Sequence, residues 1–288
     1  MKRIVLMSIL ISTFLSTSCT RKIIIETEDE YRVMKTGDLM QMNAEEYLIS
    51  NNTWNLETTD HYKFYFDLSI SEELRNETIE AQEKNYSEIA GLMGLEENTS
   101  SKILFYLFKD RAQKKLLTLV DSDAHAISTF PAVYYLPINS TGGQEVGHVI
   151  TQKNWGFIPK TSNYSLIIDE GFNFYVDDER FYHGELDNNA IEVLQENPQL
   201  TVESLVMANN GRKIQGVSSG SHARGVSMVA GSFVKYLIDE YGVKKFESLW
   251  KMAVKNQYAD YEIFEKVYNI DLTEMSQKFE NKMKGTVK

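Results

Sequence analysis

Hydrophobic and polar positions change period repeatedly along the first half of the chain and settle to one period in the second. His61 to Leu68 (HYKFYFDL) alternates, with Tyr62, Phe64 and Phe66 on one side, and predicts a strand. Ser71 then stands where a helix would be capped. Leu74, Ala81, Ile89 and Leu92 follow at helical core spacing, and Gly94 marks the end. Lys102 to Phe108 (KILFYLF) is a continuous apolar run of strand length, Lys109 to Leu119 reads as helix, and Ala132 to Leu136 (AVYYL) as a short strand. From there the period is helical. Gln144 to Thr151 and Asp169 to Val176 predict short helices, whereas Asp187 to Gly220 is polar and without a clear period. Met228 to Tyr241 predicts a strongly amphipathic helix through Val229, Phe233 and Leu237, stopped by Gly242. Lys244 to Lys255 should turn Phe246, Leu249 and Trp250 inward. Asp271 and Glu274 form a capping box before a last helix with Leu272, Met275, Phe279 and Met283 on its core face. Strands mixed with helices come first and helices alone come last, which predicts an α+β domain over residues 60 to 285.

The N-terminus has a different character. Lys2 and Arg3 precede Ile4 to Leu15, a mostly apolar stretch too short to span a bilayer, and the small residues Ser16, Thr17 and Ser18 lead to Cys19. Residues 1 to 18 thus read as a signal peptide and 19 to 59 as a tether and weakly specified segment. The arrangement resembles a bacterial lipoprotein signal, and the resemblance implies that Cys19 is lipidated and becomes the mature N-terminus. It also implies a place in the bacterial cell envelope, on the membrane through the lipid anchor and facing periplasm or exterior. Cys19 is the only cysteine among 288 residues, so intramolecular disulfides and CxxC metal knuckles are excluded. Lysine plus arginine number 30 against 41 aspartates and glutamates, a net charge of −11. A nucleic-acid partner is not expected, because a phosphate backbone requires a basic face.

Candidate chemistry sits in Gly143-Gln144-Glu145-Val146-Gly147-His148. Residues four apart share a helix face, so Gln144 and His148 point the same way with Glu145 beside them. A zinc peptidase uses two imidazoles at that spacing to hold the metal and a glutamate between them as general base. Here the glutamate and the second histidine are present, and Gln144 replaces the first. Downstream follow Asp169-Glu170-Gly171-Phe172-Asn173-Phe174-Tyr175 and then Ala230 to Gly242 (AGSFVKYLIDEYG). The three motifs, in this order, resemble the peptidase MA-like branch of the gluzincin zinc metallopeptidases, which share the thermolysin-like catalytic fold.

The resemblance implies a zincin-like domain, a mixed sheet in the N-terminal half and helices in the C-terminal half. It assigns Glu145 to the general base, His148 to the second zinc ligand, Glu170 to the third and Gln144 to the first. An amide oxygen is a harder and weaker donor than imidazole, so Gln144 is a weak or lost ligand and zinc binding is expected to be weak or absent. The family often places an oxyanion-stabilising tyrosine just before the AGSFV stretch. Residues 225 to 229 contain none, and His222 is the nearby candidate donor.

The expectation is therefore a membrane-anchored lipoprotein with a degenerate metallopeptidase site, binding peptide or protein in the former cleft. The alternatives are an active zinc peptidase with Gln144 as an unusual ligand, and a structural envelope lipoprotein. Local readings of the same residues are also available. Thr141 to Gln144 fits a capping box, and Glu145 and Glu170 suit helix starts. His125 is a further cleft candidate, just before a strand expected to form the sheet's edge, where an extended peptide would add. His61 and His183 belong to no pattern.

Overall fold

The computed structural model describes residues 22–27, 30–35, 54–95, 102–127, 131–158, 165–178, 183–198, 200–207, 221–255 and 262–286. Cys19 lies outside the described residues. The chain divides into two compact units. The smaller comprises Met1–Thr53 with Ala112–Asp121, and the larger Trp54–Arg111 with Ser122–Lys288. In the smaller unit β1 (Lys22–Thr27) and β2 (Glu30–Lys35) form an antiparallel pair, Lys22 opposite Lys35 and Thr27 opposite Glu30.

The larger unit is mixed α+β, with a five-stranded sheet in its N-terminal part and a mostly helical remainder. Its strands are β3 (Trp54–Thr58), β4 (Tyr62–Asp67), β5 (Ile103–Leu107), β6 (Ala124–Ile127) and β7 (Ala132–Tyr135), in spatial order β3-β4-β5-β7-β6. The β4–β5 and β5–β7 pairs are parallel, and the two outer pairs are antiparallel. A parallel pair needs a long crossover. Between β4 and β5 this is α1 (Glu72–Met93), capped by the Ser71 hydroxyl and closed by left-handed Gly94. Helix α2 (Arg111–Thr118) lies between β5 and β6 in sequence. The domain starts earlier than residue 60, because Trp54–Thr58 already pairs with β4. The strand between β7 and solvent is β6, so Ala132–Tyr135 is interior and not the edge.

Strand alternation sorts the side chains. Tyr62, Phe64, Phe66, Ile103, Phe105, Leu107, Val133 and Tyr135 fill the core on one face. On the other face one register line joins Tyr65, Tyr106, Tyr134 and His125. Their rings stack at successive centroid distances of 4.6, 5.2 and 4.6 Å. His125 is therefore on the face turned away from the core, for a simple reason of strand parity.

The remaining helices are α3 (Gln144–Trp155), α4 (Gly171–Val176), α5 (Leu186–Glu196), α6 (Val202–Met207), α7 (Ser221–Tyr241), α8 (Val243–Lys255), α9 (Glu262–Tyr268) and α10 (Leu272–Thr286). Helix α5 occupies a stretch with no clear period in sequence, because it buries only Leu186, Ala190 and Ile191. Helices α8 and α10 follow their sequence pattern: Phe246, Leu249, Trp250, Leu272, Met275, Phe279 and Met283 are all buried, and Asp271 accepts the Glu274 N–H at 2.8 Å.

The central long helix α7 packs on α4, and glycine permits the approach. A Cβ on Gly171 would stand 2.8 Å from the Ala230 carbonyl oxygen and 2.9 Å from Val234, and one on Gly231 would stand 2.8 Å from the Phe174 Cβ. A backbone oxygen cannot swing aside. Gly171→Ala is expected to cost at least ~1–3 kcal/mol, the range for overpacking a tight core. Gly91→Ala, on an open stretch of α1 with nothing within 4 Å, should instead gain roughly 0.5–1 kcal/mol. Urea unfolding of the two variants checks the opposite signs; equal effects would show that the α4–α7 crossing yields easily.

Candidate functional site

Helix α3 begins without a cap of its own. Its N-cap is Gly143, which offers no side-chain hydrogen bond, so the capping box expected from Thr141 does not form. The start is set by neighbouring elements. Asp177, at the end of α4, accepts the Gly143 N–H at 2.7 Å. The Tyr135 hydroxyl, at the end of β7, donates to the Gly142 carbonyl at 3.0 Å. Burial, then the charges of Glu145 and Asp177, push the Tyr135 phenol up, which keeps it a proton donor. Gln144 and Glu145 are consequently the first two residues of the helix, half-buried, with His148 one turn on and buried.

The partner for His148 comes from the next segment. Ser165–Glu170 is a turn of π-helix running directly into α4. Glu170 therefore lies at a junction inside helical structure and not at a free helix start. The π-helix widens the helix locally, a distortion frequent at functional sites. Here Asp169 and Glu170 are both brought to one imidazole. His148 Nδ1 lies 2.9 Å from Asp169 Oδ1, and Nε2 lies 3.6 Å from Glu170 Oε2. The first is a hydrogen bond and the second is longer than one.

Two pairs spaced four apart hold this arrangement. His148 and Gln152 face Asp169 and Asn173. Gln152 Nε2 donates to Asp169 Oδ2 at 3.4 Å. Asn173 Nδ2 donates to the Asp169 carbonyl at 2.8 Å and lies 3.2 Å from Oδ1. It also lies 2.8 Å from His148 Nδ1. Asp169 is 1% exposed and Asn173 fully buried, so these bonds form away from water. Gly147 makes room, since a Cβ there would overlap the Asn173 amide oxygen. Burial alone would lower the His148 pKa. The Asp169 and then the Glu170 carboxylate outweigh it, and the imidazole is held well above its ordinary value.

The arrangement can be tested against a zinc ion. Fixing Nδ1–H on a carboxylate while Nε2 faces a second donor is how metal-binding histidines are oriented. A gap of 3.6 Å between Nε2 and Oε2 falls within the span of two ~2 Å metal–ligand bonds. A catalytic zinc site takes three protein ligands, however, and His148 and Glu170 supply only one imidazole and one carboxylate. Among the described residues no group of three or more His, Cys, Asp or Glu is placed to hold a metal ion. The chain's donors fit zinc only in part.

The other sequence candidates fall elsewhere. His222 is in the first turn of α7, and its side chain lies outside the described residues. His61 pairs with Glu83 at 2.5 Å and stacks on Tyr86. His183 sits in a left-handed turn. Sequence reasoning did not find the roles of Asp169, Asn173, Gln152 and Asp177. A signal was present for the first two: besides Glu170, they are the polar residues of the stretch Ile167 to Phe174, and they stand four apart. No protein-family model matches the chain, and no curated protein sequence matches it.

Proposed function

We propose that the protein is a lipoprotein of the bacterial cell envelope, anchored through lipidated Cys19, whose larger unit is a gluzincin-type metallopeptidase domain with a degenerate zinc site. It binds a peptide or protein in the former active-site cleft and is catalytically weakened or inactive. The observation that carries this reading is the environment of His148. Asp169 fixes Nδ1 and Glu170 faces Nε2 at 3.6 Å, on the two helical segments that hold the motif residues. The second ligand, the third and the group orienting the ring are together, while Gln144 stands where the first imidazole belongs. A structural histidine needs one partner; a ring bonded to one carboxylate and facing a second at 3.6 Å, with a glutamine one turn before it, is better explained by a metal site that lost a ligand.

Metal content and a peptide library decide the matter together. The wild type, reconstituted with zinc and analysed by elemental analysis, is expected to hold well under one ion per chain. It should cleave no member of a broad peptide library, yet retain a subset of those peptides saturably. Full zinc occupancy, with cleavage abolished by Glu145→Gln, would establish an active peptidase using Gln144 as a ligand. Neither retention nor cleavage would point to a structural lipoprotein.

A further inference from the structure

Helix α1 buries a polar stripe. Thr78, Gln82 and Asn85, at helical spacing on one face, are at most 2% exposed, while nearby Leu74 and Leu92 remain partly accessible. Burying polar groups is unfavourable unless each finds a partner. All three find theirs in the loop that launches α3. Gln82 Nε2 donates to the carbonyls of Ser140 at 2.7 Å and Gly142 at 2.8 Å. Asn85 Nδ2 donates to the Thr141 carbonyl at 3.0 Å, and Thr78 donates to the Ser140 hydroxyl at 3.1 Å. Three successive peptide carbonyls are thus held by side chains of one distant helix. The fit is close, since a Cβ on Gly143 would stand 3.1 Å from Asn85 Oδ1. The Gln82 side chain is itself tied, because its Oε1 accepts from Asn85 Nδ2 at 3.3 Å, and the Tyr62 hydroxyl donates to its main-chain carbonyl at 3.1 Å.

A helix with its own capping side chain sets its starting point locally. Helix α3 has none, so its starting point is imposed from outside. We infer that Gln82 and Asn85 are positioning residues for the cleft: by clamping residues 140 to 142 they fix where Gln144 and Glu145 stand relative to His148 and Glu170. The functional weight of this inference rests on the reading proposed above; its geometric content does not. His148 is secured separately by Asp169, one turn further along α3. Loosening the clamp leaves Tyr135 and Asp177 to hold the loop alone, so positions 144 and 145 shift while 148 stays in place.

Two measurements test it on the full chain. The first hydrogen bond of α3 runs from the Gly147 N–H to the Gly143 carbonyl, and that of α10 from the Met275 N–H to the Asp271 carbonyl. In Gln82→Met, and more mildly in Asn85→Ala, amide exchange at Gly147 should quicken by about tenfold, roughly the loss of one or two hydrogen bonds. Exchange at Met275 should stay unchanged. Equal quickening at both sites in both variants, or none at Gly147, overturns the inference. Asn85→Ala keeps the test open if Gln82→Met does not fold.

The second measurement places the same changes in a Gln144→His background and reads zinc affinity. Gln82→Met should weaken zinc binding by ~10–100-fold, the usual effect of losing a group that orients a ligand. Phe279→Leu, a destabilising control in α10, should not. Unchanged zinc affinity in the Gln82 variant overturns the positioning role. Failure of Gln144→His itself to bind zinc overturns the metallopeptidase reading instead, and the exchange comparison still decides the geometry.

Discussion

Gln144→His is expected to raise zinc affinity by at least ~10–100-fold, the amount lost when even an outer partner of a metal ligand is removed. The substitution places a second imidazole one helical turn before His148, on the same face of α3. The rest of the site needs no rearrangement. His148 already has its Nδ1 on Asp169, and its Nε2 already faces the Glu170 carboxylate at 3.6 Å. Competition with a chelating dye, backed by elemental analysis, measures the gain. Adding Asp169→Asn to the variant should remove most of it, because the amide leaves the imidazole less firmly oriented and less basic. Turnover is not expected to return in step with the metal. The segment before Ala230 has no tyrosine to steady a developing oxyanion, and one such donor is worth ~10²–10³ in rate. A variant that gains no zinc over the wild type would remove the basis for reading Gln144 as a lost ligand.

How much could be read from sequence depended on whether the buried face of an element was apolar. Helices α8 and α10 bury Phe246, Leu249, Trp250, Leu272, Met275, Phe279 and Met283, and the pattern alone named all seven. Helix α1 buries Thr78, Gln82 and Asn85 along with Ile89, Ala90 and Met93. Hydrophobic periodicity gave that helix its length, its caps and buried Ile89, but its other choices, Leu74, Ala81 and Leu92, lie at the margin of the buried face and are only partly buried. Strand β6 is four residues, Ala-His-Ala-Ile, too short and too small to register as a period. Missing it turned the interior strand β7 into an edge.

Within the site, the four-residue spacing of Gln144 and His148 is a property of one helix and was legible. The hold of Asp169 on the imidazole, with Asn173 and Gln152 bonded to Asp169, joins two segments across a close contact at Gly147, and no local pattern encodes it. The π-helical turn that aims Asp169 and Glu170 at one ring is likewise a tertiary feature. The start of α3 at Gln144 was legible, but what holds it was not. Thr141 looks like a cap in the sequence, yet its carbonyl is taken by Asn85, and the helix begins two residues later than a box at that position requires.

Cys19→Ala is expected to shift the protein almost wholly from the membrane fraction to the soluble one, or to stall it as an unprocessed precursor. Its N-terminal Lys2-Arg3 pair and the short apolar run from Ile4 to Leu15 can direct export but cannot span a bilayer. Among the described residues no helix is long and apolar enough to cross a membrane. Electrostatic attachment is also disfavoured, since a chain of net charge −11 has little to offer an anionic leaflet. On the proposed reading attachment is by acyl chains on Cys19, where each buried CH₂ contributes ~0.8 kcal/mol and more than one chain is required for stable anchoring. The wild type should accordingly resist a high-salt wash and be released by detergent, because salt screens charges and leaves acyl burial intact. Fractionation of wild type and variant, with the mass of the mature N-terminus, measures both halves of the claim. Undiminished membrane recovery of Cys19→Ala, together with a wild-type N-terminus carrying no lipid, would show that something other than Cys19 holds the protein at the membrane.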